Sequence, residues 1–221
     1  MNALPADEPA IDTAFMRRWL DTAATAIDRE SKQLSDLDSP IGDGDHGTNM
    51  RRGFLAARTA IEQEPPDTPG GVLVALGRQL ISKVGGASGP LYGTLFRRAG
   101  KELGDDRAVS AAQLRDGLRA GVDAVAKLGG AVPGDKTMLD ALLPALDALT
   151  GALDAGGSAA DALAAAAGAA DEGVRATVPL RARKGRASYL GERSVGHQDP
   201  GATSSALLIN TLADTAKEAA A

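Results

Sequence analysis

Apolar residues recur every three or four positions along most of the chain, which is the spacing of one face of an α-helix. In the first such stretch Phe15, Ala23 and Ile27 share a face, and the stretch ends before Asp38-Ser39-Pro40, since proline disfavours a helical residue ahead of it. The predicted helices cover residues 12–34, 46 or 48–64, 69–84, 90–103, 110–128, 137–150, 158–178 and 203–218. The pattern predicts eight helices and no strand, so we expect an all-α fold in a single domain.

Three local signals refine these helices. Ser110 is a good N-cap for the fifth helix, and Gly129 with Gly130 ends it. Pro144 should kink the sixth helix. Residues 179–202 show no period, and a loop of this length inside a compact domain is either functional or disordered. Apolar residues within it favour an ordered lid.

Composition supports packed helices. Hydrophobic residues make up 43% of the chain but aromatic residues only 3%, whereas strands favour aromatic and β-branched side chains. The net charge of −5 argues against general attraction to nucleic acid or to an anionic membrane. Because the chain has no cysteine, disulfides, thiolate catalysis and zinc–cysteine sites are excluded.

The N-terminal residues 1–10 are acidic and contain proline, and we expect them to form a flexible tail ahead of a domain over residues 11–221. They lack the basic and apolar regions of a signal peptide. No stretch reaches the roughly 18 apolar residues of a membrane span. The expected location is therefore the cytoplasm.

The most informative stretch is the acidic loop between the first two predicted helices, Asp38 to Asn49. It holds Asp38, Asp43 and Asp45 among three glycines, so that three carboxylates share a small volume. Crowded carboxylates favour a hard cation, and all-oxygen ligands suit Mg²⁺, Ca²⁺ or Mn²⁺, of which Mg²⁺ is the expected ion. The alternative is an acidic turn without a metal. An EF-hand is excluded because, counted from Asp43, the fifth loop position is glycine rather than Asp or Asn.

A second stretch, Gly85 to Pro90, leads glycines into a helix start. Free backbone N–H groups and the helix dipole favour a phosphate there, and Ser88 adds a hydroxyl. The spacing of a P-loop is absent. A glycine-rich connection with no ligand remains the alternative.

A third stretch is basic in a chain that is acidic overall, and it suits phosphate oxygens. Its cations are Arg181, Arg183, Lys184, Arg186 and Arg193. A solvated loop is the alternative. The turn Gly196 to Gly201 that follows could act as a hinge or as a floor for a flat ligand. Of the two histidines, His46 lies at a helix start where it could touch a phosphate, and His197 suits a structural or lid role.

Together these stretches fit a nucleoside diphosphate. A diphosphate beside three carboxylates is repulsive, by about 4 kcal/mol for each charge pair at 4 Å in an effective dielectric near 20. Two Mg²⁺ ions would offset most of that charge and could clamp a phosphoryl group in transfer.

The motifs also carry a resemblance. The chain resembles the nucleotide-binding L subunits of dihydroxyacetone kinases in four stretches, in the same order and over nearly its whole length. They are Ile41 to Asn49, Val84 to Pro90, Pro133 to Met138 and Lys184 to Thr203.

The resemblance implies a barrel of eight antiparallel amphipathic helices with the nucleotide at one rim. It implies that Asp38, Asp43 and Asp45 hold two Mg²⁺ ions. The residues implied to approach the phosphates are His46, Gly47, Thr48, Asn49, Ala87 and Ser88. Gly129 and Met138 should flank the adenine. Arg186, Asp199, Pro200 and Gly201 should belong to the lid.

In that family a separate K subunit holds dihydroxyacetone covalently. The resemblance therefore implies two readings. In one, ADP remains bound as a cofactor, becomes ATP when a phosphohistidine-carrying M subunit of the phosphotransferase system phosphorylates it, and passes the phosphoryl group to dihydroxyacetone on the K subunit. In the other, ATP is the donor and exchanges in each turnover, with dihydroxyacetone or another keto-sugar as acceptor. The first is favoured because the chain has room for the nucleotide domain alone.

A third reading, a nucleotide-binding regulatory module without catalysis, also stays open. No catalytic residue is assigned in this chain, since the K subunit would activate the acceptor. The sequence leaves a homodimer open.

Overall fold

The computed structural model describes residues 11–221, so the predicted tail over residues 1–10 lies outside the described part of the chain. The helices are α1 (Thr13–Asp38), α2 (His46–Gln63), α3 (Pro69–Lys83), α4 (Ser88–Leu103), α5 (Ala111–Gly129), α6 (Leu139–Asp154), α7 (Ala159–Ala176) and α8 (Pro200–Ala219). A 3₁₀ helix, Arg186–Ser194, lies between α7 and α8. Two short strands, β1 (Ile11–Asp12) and β2 (Ala108–Val109), pair antiparallel.

The helices form a closed ring. Each helix packs on the next along the chain, and α8 packs on both α7 and α1. Except between α7 and α8, the connections between successive helices are short, which makes neighbours antiparallel. The all-α barrel is thereby confirmed. Within residues 11–221, the expectation of no strand is wrong for β1 and β2, two residues each, in which Ile11 lies opposite Val109.

The barrel interior is filled by side chains. Phe96 lies 5.6 Å from Trp19 and 6.4 Å from Phe54 between ring centroids, in tilted and edge-on arrangements that aromatic rings favour. An apolar cavity of about 30 Å³ remains beside Trp19 and Phe96, which leaves room for no more than a few water molecules. The ring is therefore a packed core and not a channel.

Most predicted helix bounds agree with the structure to within a few residues. The first helix extends to Asp38 instead of residue 34. The fourth begins at Ser88, so that Pro90 lies in its first turn, as expected. The last begins at Pro200 instead of Thr203, because the Asp199 side chain accepts a hydrogen bond from the N–H of Ala202 and proline fits a first helical turn.

Two further features concern function. The expected lid is ordered: residues 177–199, which we name the cover segment, connect α7 to α8 through the 3₁₀ helix and turn at Gly191, whose φ is +57°. Helix α6 includes Pro144, and the kink expected there stays a prediction. Among residues 11–221, no helix combines the length and apolar character needed to cross a membrane.

Candidate functional site

The three aspartates of the acidic loop converge. Asp38 is the last residue of α1, Asp43 lies in the loop and Asp45 precedes α2. One carboxylate oxygen from each lies within 4.8 Å of the others. Asp38 is buried, and its Oδ2 accepts hydrogen bonds from the N–H groups of Asp45 (3.1 Å) and His46 (3.2 Å). The backbone therefore fixes one carboxylate, while Asp43 and Asp45 face solvent.

Two glycines make this convergence sterically feasible. A Cβ on Gly42 would lie 1.9 Å from Oδ1 of Asp38, and a Cβ on Gly47 would lie 1.8 Å from the carbonyl oxygen of Ser31. Any side chain at Gly47 would push α2 away from α1, and the carboxylates on the two helix ends would separate. Gly47 thus has a packing role that does not need a ligand.

A cavity of about 480 Å³ opens beside the acidic loop. It brings together most of the predicted site residues from four connections of the chain, α1–α2, α3–α4, α5–α6 and α7–α8. Its wall includes Asp38, Asp43, Asp45, His46, Ala87, Ser88, Gly129, Met138, Arg186, Asp199, Pro200 and Gly201.

Gly47, Thr48 and Asn49 are outside that wall. Thr48 is exposed. Asn49 is buried, its Oδ1 accepts a hydrogen bond from Arg52 (2.6 Å), and its side chain packs against the backbone of Gly85. His197 is half-buried in the turn before α8 and is likewise outside the wall.

Arg186 connects the cover segment to the acidic loop. Its Nη2 lies 2.8 Å from Oδ2 of Asp43, and both side chains are substantially exposed. An exposed ion pair contributes little to folding stability. Its position matters more, because it places a guanidinium at the mouth of the cavity, where it can meet an anion.

His46 is held between two hydroxyls. Its Nδ1 lies 3.1 Å from Oγ of Ser88, and its Nε2 lies 2.9 Å from Oγ of Ser204. Burial lowers the pKa of His46, against the opposing effect of Asp38 and Asp45. The Tyr92 hydroxyl continues the contacts inward at 2.7 Å from both Ser204 and Ser205, and burial raises its pKa well above the usual value. All of these hydroxyls are therefore proton donors at neutral pH.

Lys136 anchors the cover segment through hydrogen bonds from its buried ammonium group. The side chain is 2% exposed. Its Nζ donates to carbonyl oxygens at 2.8 Å (Ser194), 2.9 Å (Thr177), 3.1 Å (Leu180) and 3.4 Å (Val178). Burial lowers the pKa of Lys136, against an opposing effect of Asp199. Because all four carbonyls belong to residues 177–194, one ammonium group joins both ends of the segment to the α5–α6 connection.

That connection is itself rigid. Asp140 accepts from the N–H groups of Gly134 (2.5 Å) and Thr137 (2.7 Å), and Asp135 accepts from that of Val132 (3.0 Å). The Arg183 N–H donates to the carbonyl of Asp135 at 3.0 Å, which adds a backbone link to the cover segment. Lys136 has a positive φ of 63°, a region that side-chain-bearing residues seldom occupy.

Asp199 lies at the floor of the cavity and caps α8. Burial raises the pKa of its carboxyl to about 7; the N–H of Ala202 and the charge of Lys136 oppose this, whereas Asp140 and Asp38 add to it. Asp199 therefore ends the cover segment and caps α8, whose first residues are Pro200 and Gly201. Their place in a lid, which the resemblance implies, stays a prediction.

Sequence reasoning missed Lys136 as an anchor, Ser204 as a partner of His46, and Tyr92 and Ser205 as further members of the same polar cluster. The sequence offered a signal for the serines but none for the lysine. A lysine between Asp135 and Thr137 in a glycine-containing turn looks solvated. Adjacent serines in an otherwise apolar helix face can indicate a buried polar cluster.

Comparison with known proteins agrees with this geometry. Residues 40–214 match the model of a protein family described as the DAK2 domain. The chain belongs to the DAK2 domain family. Its resemblance to dihydroxyacetone kinase L subunits is confirmed by relatives of that description.

Two relatives differ in how much of their own length this chain covers. The chain is 43% identical, over 90% of its length and 95% of the relative's, to the ADP-binding subunit of the PEP-dependent dihydroxyacetone kinase of Escherichia coli K12. It is also 43% identical to the D-erythrulose kinase of Mycolicibacterium smegmatis, over 90% of its length but only 35% of that protein. DAK2 domains thus occur both as separate chains and as parts of larger ones.

Solved structures show the same fold. The dihydroxyacetone kinase of C. freundii in complex with AMP-PNP and Mg²⁺ superposes with a TM-score of 0.70 at 25% identity. The match covers 96% of this chain and 36% of that one.

Proposed function

We propose that this chain is the ADP- and Mg²⁺-binding subunit of a dihydroxyacetone kinase of the phosphotransferase-system type. One observation carries the proposal: three converging carboxylates, a helix start with Ser88 and a cationic cover segment line a single 480 Å³ cavity. This cavity has the size of ordinary ligand pockets and the charges that a metal-bound diphosphate requires. The relatives with matching length are described as ADP-binding subunits of such kinases.

The donor set fits the metal. Asp38, Asp43 and Asp45 supply only carboxylate oxygens, which suit Mg²⁺, and we propose that they hold two such ions. When bound, Mg²⁺ would neutralise phosphate charge that the aspartates otherwise repel.

The other residues bind and orient the nucleotide. Ala87 and Ser88, at the start of α4, present backbone N–H groups and a hydroxyl to a phosphate. Gly129 and Met138 line the cavity and would flank the base, and Asp199, Pro200 and Gly201 line the same cavity at the start of α8. Arg186 and the cover segment then close the mouth and exclude water. Gly47, Thr48 and Asn49 are outside the cavity wall, and their approach to the phosphates, which the resemblance implies, stays a prediction.

The partners follow from this role. The phosphoryl donor would be a phosphohistidine-carrying M subunit, and the acceptor would be dihydroxyacetone on a K subunit, both in the cytoplasm. This chain positions the nucleotide and supplies charge, and the acceptor is activated elsewhere.

The alternative function is an ATP-dependent keto-sugar kinase in which nucleotide exchanges. Relatives described as erythrulose kinases support it, but this chain spans only about a third of their length. Relatives of the PEP-dependent type are matched over 95% of their length or more.

Assay of the purified protein for retained nucleotide separates the two. The protein is freed of loose nucleotide, denatured, and its supernatant is assayed. Near-stoichiometric ADP supports the proposal. Empty protein that exchanges ATP freely and phosphorylates a keto-sugar with a K subunit supports the alternative, whereas binding without any transfer would indicate a regulatory module.

The metal assignment has its own test. Asp43→Asn removes a carboxylate from the convergent set and should sharply reduce Mg²⁺-dependent ADP retention, with helicity unchanged. Asp36→Asn is the matched control, because Asp36 is an exposed carboxylate of α1 that pairs with Lys32 outside the cavity. Equal retention in both variants would contradict the metal site.

A further inference from the structure

Arg52 lies outside the wall of the candidate cavity but contacts the part of the chain that leads into it. It is an exposed residue of α2, and its Nε donates to the carbonyl oxygen of Lys83, the last residue of α3, at 2.7 Å. Its Nη2 donates to Oδ1 of Asn49 at 2.6 Å. The last carbonyl groups of a helix have no partner within that helix. Arg52 therefore satisfies one of them and links α2 to the end of α3.

Residues 84–87, which we name the glycine connection, follow directly after Lys83 and lead into Ser88 at the start of α4. Gly86 has a φ of +63°, a conformation that favours glycine, and a Cβ built there would meet nothing within 4 Å. Among residues 11–221, the backbone N–H groups of Gly86 and Ala87 donate to no backbone carbonyl. The glycine connection therefore contributes little to its own rigidity, and its position depends on contacts at its entry.

Two further contacts of α2 fix the entry of the glycine connection. A Cβ on Gly53 would lie 2.2 Å from Cγ2 of Val84, so Val84 packs directly against the α2 backbone. Asn49 is 6% exposed, and its side-chain atoms would lie 3.1 to 3.3 Å from a Cβ on Gly85. Because an arginine side chain can only donate hydrogen bonds, Arg52 also fixes which end of the Asn49 amide faces it. Helix α2 therefore contacts the glycine connection at successive residues.

The same helix also meets the metal end of the candidate site. Asp45 precedes α2 and Ser88 opens α4, and both line the cavity. Arg52 follows Asp45 by seven residues, which is roughly 10 Å along the axis of a helix. A diphosphate with its metal ions would contact both the aspartates and the start of α4, so it needs a fixed distance between them. Because α2 contacts both parts of the site, α2 sets that distance.

We propose that Arg52 is a positioning residue that holds the glycine connection against α2, so that Ala87 and Ser88 keep the distance from the aspartates that a metal-bound diphosphate spans. This inference rests on the proposed nucleotide site and deepens it. Arg52 acts on the ligand only through the carbonyl of Lys83 and the side chain of Asn49. The competing role is a cap on the last turn of α3 that contributes to folding alone.

Arg51 provides a matched control. It precedes Arg52 in α2, is exposed as well, and pairs with Asp28 of α1 away from the glycine connection. Arg51→Met and Arg52→Met thus remove the same charge from the same helix turn. Full-length protein loaded with labelled Mg-ADP is chased with excess unlabelled Mg-ADP, and the release rate is measured. We expect about tenfold faster release from Arg52→Met, because a hydrogen bond from a charged donor contributes about that factor, and an unchanged rate from Arg51→Met.

Two further measurements separate positioning from capping. Arg52→Lys keeps a donor that can reach the carbonyl of Lys83, so it should restore most of the ADP retention that Arg52→Met loses. Nitrogen relaxation of the nucleotide-free proteins gives backbone order parameters, which should fall at residues 85–87 in Arg52→Met and stay unchanged in Arg51→Met. A cap that contributes to folding alone would lower the midpoint of urea denaturation while the release rate and these order parameters stay unchanged.

The outcomes also separate this proposal from the proposed function. If Arg51→Met and Arg52→Met release ADP at equal rates, the proposal is overturned, because only net charge or nothing would then matter. Faster release from Arg52→Met with unchanged order parameters at residues 85–87, or with lower order parameters throughout the protein, overturns it too. Each of these results leaves the nucleotide site standing, since the wild type retains Mg-ADP. A wild type that binds no Mg-ADP overturns both the proposed function and this inference.

Discussion

In the helix ring, a buried residue such as Phe54 packs on apolar neighbours from several helices, whereas the cover segment is attached largely through the ammonium group of Lys136. The ring shares its stability among many small contacts. The segment depends on a few buried hydrogen bonds that converge on one atom. Loss of packing in the ring should therefore lower global stability, and loss of the anchor should loosen the site selectively.

The largest expected effect is on the ring. Phe54→Ala removes a fully buried ring that lies edge-on to Phe96, and such changes cost about 3–5 kcal/mol of the free energy of unfolding. Urea denaturation measures it, with Ile81→Ala as control because Ile81 is substantially exposed. Nucleotide release from the folded variant should keep its normal rate. Faster nucleotide release from folded Phe54→Ala would show that packing in the helix ring and closure by the cover segment depend on each other.

The next effect concerns the anchor. Lys136→Met leaves buried carbonyls of the cover segment without a donor, and we expect a loss of about 2–4 kcal/mol. Hydrogen exchange within residues 177–194 should accelerate more than exchange in the helices, and ADP should dissociate faster. Lys101→Met, at an exposed lysine of α4, is the control and should change neither hydrogen exchange in residues 177–194 nor the rate of ADP dissociation. If hydrogen exchange in Lys136→Met accelerated equally across the whole protein, Lys136 would not be a selective anchor of the cover segment.

A pH dependence is expected from Asp199. Its folded pKa of about 7 lies above the ordinary value near 3.9, so the folded state binds the proton more tightly than the unfolded state. Stability from this group is present below about pH 4 and is lost as pH rises through 7, by roughly 1.4 kcal/mol per pH unit within the window. Urea denaturation of the wild type and of Asp199→Asn at several pH values across this range measures how the free energy of unfolding of each depends on pH. Parallel pH profiles would contradict the raised pKa.

The smallest folding effect belongs to Arg186. Its ion pair with Asp43 is exposed, so Arg186→Ala should change the free energy of unfolding by less than about 0.5 kcal/mol. Nucleotide release should nevertheless accelerate, because the variant removes the guanidinium at the cavity mouth. Arg193→Ala, also exposed in the same segment, provides the comparison. A large loss of stability with Arg186→Ala would assign that residue a structural role.

The same contrast explains what the sequence could predict. Periodic apolar residues determine the ring, so eight helices and their order followed from spacing alone. The three aspartates were found because they are close in sequence. Lys136 and Ser204 were missed, since the carbonyls and the imidazole they contact come from distant parts of the chain. The start of α8 was misplaced because Asp199 was read as a turn residue instead of a cap.

The left-handed backbone at Lys136 also constrains how this position can change during evolution. Glycine would relieve the conformation but remove the ammonium group, and arginine would keep a charge but bring a planar guanidinium to a site built around one atom. No single substitution satisfies both the backbone and the four carbonyls. Directed evolution of this enzyme subunit should therefore find nearly every position of the α5–α6 connection easier to replace than this lysine.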